Sequence, residues 1–163
     1  MLKNSPNMGP GLLTVKNDPR VLPFGRVLRR TKLNEIPQLF NVFCGDMSII
    51  GPRPQAKPHF DVFPDHLKQT LVSVRPGLSG IGSVVFRDEE TILEQAADKQ
   101  WFYAHVISPY KGEIECWYIE RYNIFMYLGL ILLTILAVLF PGIRFHRMLF
   151  KQLPEPPSAL VGV

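Results

Sequence analysis

A chain of 163 residues, 47% hydrophobic and 20% charged, has enough apolar material to pack one domain, which excludes wholesale disorder. Its net charge is +4, and before Leu33 seven Lys/Arg stand against one acid, Asp18. Such a basic segment suits anionic lipid or phosphorylated substrates. No aromatic residues alternate with these charges as stacking platforms and no nucleic-acid-binding motif is present, so nucleic acid is set aside as a partner. Cys44 and Cys116 lie far apart without metal-ligand spacing and read as small buried apolar residues, which fits a reducing, cytoplasmic-side environment.

Met1 to Pro23 is loop-rich, with Gly9-Pro10-Gly11 and the turn Asn17-Asp18-Pro19; Met1 to Pro10 is polar and broken by proline, unlike a signal peptide. Phe24 to Lys32, "FGRVLRRTK", predicts a short helix with its positive charge on one side. A second helix is expected from Asn34, which would serve as N-cap, with Pro37 in the first turn and Glu35 complementing the dipole. Leu33, Ile36, Leu39, Phe40 and Phe43 recur at helical spacing and predict a buried face, and Gly45 a C-terminal stop. In "DMSIIGPRP" a short strand at Ile49-Ile50 ends at Gly51-Pro52, and the two X-Pro bonds hold Arg53 on a stiff, non-helical backbone.

Pro64 to Ser73 reads as a short helix, and "VRPGLSGIGSVVF" as a glycine-punctuated loop running into a strand near Val84 to Phe86. Asp88 to Lys99 is polar and helix-prone. Ser108-Pro109 is a favourable N-cap and N1 pair for opening a long final helix. That helix is amphipathic from Tyr110 to Tyr122, with Ile114, Trp117, Tyr118 and Arg121 at helical spacing. It then loses all charge up to Ile143, and Ile124 to Phe140 is almost wholly apolar. Seventeen such residues are the lower limit for a membrane span. A span, an interfacial helix and a core helix remain open, the aromatic and basic flanks (Arg121; Arg144, His146, Arg147) favouring the membrane. The expected fold is α+β and predominantly helical. It forms a single membrane-associated domain over 1–153 with an apolar helix at about 122–143, followed by a disordered, proline-rich tail over 154–163.

Three stretches, "GRVLRRTKLNEIPQLFNVFCGDMSIIGPRP", "VRPGLSGIGSVVFRDEE" and "YKGEIECWYIERY", together resemble the bacterial sugar transferases, the monotopic phosphoglycosyl transferases, over about Gly11 to Leu153. The resemblance implies Mg²⁺-dependent transfer of a sugar phosphate from a nucleotide sugar, usually a UDP-sugar, to undecaprenyl phosphate. It implies the cytoplasmic face of the bacterial inner membrane and the start of exopolysaccharide, O-antigen or other glycan assembly. The oligomeric state, a homo-oligomer included, stays open. The chemistry suits the residue types: a divalent cation neutralises the phosphates, and arginines on stiff turns grip them bidentately.

In the family an Asp-Glu pair occupies the helix start, the Asp as nucleophile and the Glu as metal ligand. Here the pair is Asn34-Glu35, and an amide is a far poorer nucleophile than a carboxylate. Glu35 takes over, transfer is direct, or activity is lost; the resemblance places Glu35 and Asn34 at the reacting centre, with Glu35 the metal ligand. Arg53, Arg75 and Arg30 are the candidate phosphate-binding residues. Asp46 reads as a turn residue, "RDEE" (Arg87 to Glu90) as a helix-capping segment, and the four histidines carry no ligand spacing. The family also carries an N-terminal membrane helix, and this chain starts after it. With Asn34, that motivates a second reading, a non-catalytic truncated relative acting as a membrane-bound partner in polysaccharide assembly.

Overall fold

The computed structural model describes residues 20–30, 33–140, 150 and 152–160. In chain order these form α1 (Pro23–Arg30), a 3-10 turn (Leu33–Glu35), α2 (Gln38–Cys44), β1 (Ser48–Ile50), α3 (Lys57–Asp61) and α4 (Asp65–Val72). β2 (Gly77–Ser79), α5 (Ile81–Val85), α6 (Glu89–Glu94), α7 (Lys99–Phe102), a π-helical segment (Tyr103–Ile107), α8 (Ser108–Glu120), α9 (Ile124–Leu139) and a 3-10 turn (Ser158–Leu160) follow. The mainly helical α+β character expected from the sequence is observed.

The central element is α8. Ser108, Tyr110, Gly112 and Ile114 to Tyr118 are all buried, so this helix is enclosed on nearly every side rather than amphipathic as its sequence suggested. Ile107, Ile114 and Tyr118 meet Ile81, Leu93, Leu130 and Leu133 in the main core, while Cys116 joins Phe63 and Leu67 in a smaller cluster under α4. Ser108 is not an N-cap either: its backbone is helical, and one helical run extends from Lys99 to Glu120. Pro109 has no N–H and its ring crowds the carbonyl four residues back. The π-helical segment directly before it absorbs that defect without ending the helix.

The run does end where the sequence had suggested continuity. Arg121 leaves the helical region, and Asn123 caps α9 by accepting a hydrogen bond from the Met126 N–H at 2.9 Å. α9 is apolar as expected, but its 16 residues measure only about 24 Å. No helix among the described residues is long and apolar enough to cross a membrane, and residues 141–143 of the expected apolar helix lie outside the description. One side of α9 enters the core through Leu130 and Leu133. Phe125, Leu128, Leu132, Ile135 and Leu139 on the other side are exposed.

Other expectations are corrected. The strand near Val84 to Phe86 is instead the helix α5, and the strand lies earlier, at Gly77–Ser79. Asn34 does not cap a helix: Leu33–Glu35 form a 3-10 turn, and Pro37, already helical in φ and ψ, precedes α2. Leu33, Ile36, Leu39, Phe40 and Phe43 form an apolar face at the spacing read from the sequence, yet every one is exposed. Cys44 is exposed as well, whereas Cys116 is buried. In the tail, the Tyr110 hydroxyl donates to the Pro154 carbonyl at 2.8 Å and Leu160 enters the core, while residues 155–159 between them are exposed and 161–163 lie outside the described residues.

β1 and β2 form a two-stranded parallel sheet, Ser48 opposite Gly77 and Ile50 opposite Ser79. Its spacing depends on glycine. A Cβ on Gly77 would lie 2.2 Å from the Gly51 nitrogen, and one on Gly51 would lie 2.7 Å from the Arg75 carbonyl. No rotamer change relieves contact with backbone. Gly77→Ala is therefore expected to destabilise the protein by at least about 2 kcal/mol in urea unfolding. Gly129→Ala in α9, where an added Cβ meets nothing within 4 Å, is expected to be neutral or stabilising by up to about 1 kcal/mol.

Candidate active site

The two proline-arginine turns of the sequence, "GPRP" and "RPGLSG", leave the same small sheet. Gly51 N–H donates to the Ser79 carbonyl and Gly77 N–H to the Pro52 carbonyl, each at 2.9 Å. Arg53 therefore stands on backbone that is hydrogen-bonded beneath it and held stiff by Pro52 and Pro54. Its guanidinium reaches back to the 3-10 turn, where Nη2 bonds Glu35 Oε1 at 2.7 Å. Asn34 Nδ2 donates to the same oxygen at 3.2 Å. Glu35 is thus held through Oε1 by two donors and is only 15% exposed, while Oε2 is shielded from solvent without a hydrogen-bond partner. A carboxylate oxygen in that state is costly unless a ligand or ion completes it.

The structure brings Asn34, Glu35 and Arg53 together. Arg75 is exposed, with its guanidinium beside Gly45, where a cation complements the C-terminal end of α2. Gly45 ends that helix at φ 85°, as its sequence position suggested. Arg30 ends α1, and its side chain lies outside the described residues. Asp46 is an exposed turn residue. In "RDEE", Asp88 makes no capping bond, and Glu89 instead pairs with Lys111 of α8.

Among the described residues, no group of three or more His, Cys, Asp or Glu could hold a metal ion. The donor set at Glu35 fits Mg²⁺ in one form, an ion carried by substrate phosphates that keeps several waters and takes one protein carboxylate.

Beside Arg53 opens a cleft of about 330 Å³. Phe60, Phe63, Leu71, Val72 and Val74 give it an apolar wall; Arg53, Gln55, Ser83, Lys111 and Glu115 give it a polar one. Lys111 lies 5.6 Å from the Phe86 ring centroid and 5.9 Å from that of Tyr103, and the Tyr103 hydroxyl reaches Gln55. Burial pushes the Glu115 carboxyl up to about 8, opposed by the Gly82 N–H, Lys111 and the Arg53 backbone N–H. Burial also raises Tyr103 and lowers His59, which packs on the Tyr103 ring.

Sequence reasoning missed Gln55, Lys111 and Glu115. For the last two a signal existed: Lys111, Glu115 and Tyr118 recur at i, i+4 and i+7, placing a charge pair beside Ile114 and Trp117 on a stripe read as buried.

Comparison with known proteins shows the family. A family model described as bacterial sugar transferase matches residues 1–141. An undecaprenyl-phosphate galactose phosphotransferase of Salmonella typhimurium is 38% identical over 88 residues, 54% of this chain and 18% of that protein. A UDP-glucose:undecaprenyl-phosphate glucose-1-phosphate transferase of Xanthomonas campestris is 35% identical over 128 residues, 76% of this chain and 24% of the relative. The exopolysaccharide production protein ExoY of Rhizobium meliloti is 30% identical over 124 residues, 76% of this chain and 47% of its own length. The chain thus spans less than half the length of each of these three relatives, and over that span it belongs to the bacterial sugar transferase family.

Proposed function

We propose that this chain transfers a sugar phosphate from a UDP-sugar to undecaprenyl phosphate at a membrane surface, with Glu35 as the reacting carboxylate. The names of its relatives support the substrate classes. The observation that carries the role of Glu35 is the asymmetry of its carboxyl: Oε1 is tied to Arg53 and Asn34, and Oε2 is buried without a partner.

In this reading Oε2 attacks the sugar-bearing phosphorus of the donor. The bond from that phosphorus to the bridging oxygen breaks, and UMP leaves. An oxygen of undecaprenyl phosphate then attacks the same phosphorus and displaces the Glu35 oxygen, giving the lipid diphosphate sugar. Arg53 orients the carboxylate and neutralises charge on the transferring phosphoryl group. Mg²⁺ bound by the donor phosphates would lower their charge and align them for attack. The cleft beside Arg53 would hold the remainder of the donor, away from water. Asn34, in place of a second carboxylate, supplies a hydrogen bond that fixes the Glu35 rotamer.

The exposed apolar faces of α2 and α9 support the membrane surface. Phe40, Phe43 and Phe125 are 69%, 89% and 83% exposed, and both helices pack against the small sheet from which Arg53 projects. The basic N-terminal segment adds attraction to anionic lipid. On vesicles containing anionic lipid, Phe40→Asp combined with Phe125→Asp is expected to lower co-sedimentation by at least about tenfold.

The catalytic reading is tested by UMP release from a panel of UDP-sugars with undecaprenyl phosphate. Glu35→Gln is expected to lower the rate by at least about 100-fold, and Arg53→Ala by about 100- to 1000-fold. Unchanged turnover in Glu35→Gln overturns the assignment. Turnover that exists only in Asn34→Asp marks the natural chain as a non-catalytic relative, the reading that Asn34 itself favours.

A further inference from the structure

We propose that Glu115 is a positioning residue for the Arg53–Glu35 pair: its buried carboxyl sets the Gly80–Gly82 turn against the Gly51–Arg53 turn, and so sets where Arg53 presents its guanidinium. The inference rests on the transferase reading for its consequence in turnover, not for its geometry.

Glu115 is the only buried carboxylate among the described residues. Burying an acid is costly, and this one stands on the central helix of the fold, at the inner wall of the cleft beside Arg53. Its Oε1 accepts the Gly82 N–H at 3.1 Å. The packing there leaves no slack. A Cβ on Gly82 would lie 2.6 Å from Oε1, and one on Gly80 would lie 3.2 Å from Oε1 and 2.3 Å from the Gly51 carbonyl oxygen.

Carboxyl, glycine turn and Gly51 are therefore stacked in contact. From Gly51 the chain passes through Pro52, whose ring fixes φ, into Arg53. The Arg53 backbone N–H is itself close enough to favour a charge on Glu115. A change at the carboxyl thus reaches the guanidinium through backbone that has few ways to relax. Oε2 is buried without a full hydrogen bond of its own.

The surroundings make the carboxyl sensitive to pH. On its own helix it faces Lys111, which is engaged by Glu89 and lies by the rings of Phe86 and Tyr103; Cys116 and Tyr118 also sense its charge. The Gly51–Arg53 turn brings Arg53; α5 brings only the Gly82 N–H and the Ser83 hydroxyl, which has no partner. α4 carries Asp65 and Lys68, which bond each other, and His66; α9 carries no charged residue.

With its midpoint raised to about 8, Glu115 is neutral at pH 7 in the folded protein and ionised in the unfolded chain. The native state then binds the extra proton, so stability falls as pH rises from the ordinary carboxylate range to about 8 and is flat above it. Ionisation in that window places an uncompensated charge under the turn that carries Arg53.

The test is a pH titration of the full chain labelled with ¹⁵N, reading the Gly82 N–H and the Arg53 side-chain Nε–H. Both are expected to shift together with one midpoint near 8 in the wild type, and neither in Glu115→Gln, which keeps an acceptor for Gly82. Neighbouring groups do not imitate this: His59 is shifted below the usual histidine range and Cys116 above the usual thiol range. In UMP release, the wild type is expected to lose kcat through the same midpoint at constant KM, with that loss abolished in Glu115→Gln. A silent Arg53 beside a titrating Gly82 overturns the proposal, and that result needs only the wild type. An Arg53 shift that persists in Glu115→Gln overturns it too. Coupled titration without UMP release from any variant upholds the positioning role and sinks the transferase reading instead.

Discussion

The structure depends on backbone touching backbone where β1 meets β2. Gly51 and Gly77 approach so closely that neither has room for a side chain, and the hydrogen bonds around them join two turns that are far apart in sequence. The consequence is mechanical. Arg53 emerges from a segment restrained by a sheet below it and by prolines on both sides, so its guanidinium loses little further freedom on gripping Glu35 or a phosphate. Glu115 on α8 lies under the same stack. The site is accordingly built from a loop pair, a 3-10 turn and one central helix, each short and each immobilised by the next.

Much of this was legible in the sequence where a single residue type has a single backbone consequence. Gly45 closes α2 with a positive φ, and the Pro-Arg-Pro triplet stiffens Arg53, as read from the chain. Periodicity was less informative, because it reports which residues share a face and not what covers that face. Leu33 to Phe43 do share one side, but it is exposed. On α8 the reverse holds: the helix read as amphipathic is covered on nearly every side, and Glu115, which drew no notice in the sequence, is enclosed because glycines at 80 and 82 let backbone come up against it. Asn34 has the residue type of a cap and Pro37 suits a first turn, but a 3-10 turn occupies Leu33–Glu35 and the helix starts only after Pro37. The break at Asn123 was hidden because one Asn between Tyr122 and Ile124 does not by itself interrupt a helical pattern.

The two uncovered apolar faces and the buried polar site follow from one arrangement. A small sheet is flanked by α2 and α9, which turn apolar side chains outward while the functional side chains lie behind them. For a reaction that joins a charged, water-soluble donor to a lipid phosphate, this is a workable division. Thr134 on α9 bonds Ser79 at the end of β2 at 2.9 Å, so the apolar helix is tied directly to the strand that supports the Arg53 turn.

In the proposed reaction Glu35 is the nucleophile, in a chain that offers an amide where a second carboxylate would stand. The most direct measurement is the intact mass of the protein after exposure to a UDP-sugar without lipid acceptor, followed by mapping of the modified peptide. The account predicts a gain of one sugar phosphate on Glu35, discharged when undecaprenyl phosphate is added. An unmodified Glu35 in protein that nevertheless releases UMP on adding acceptor, or an adduct on any other residue, would contradict it.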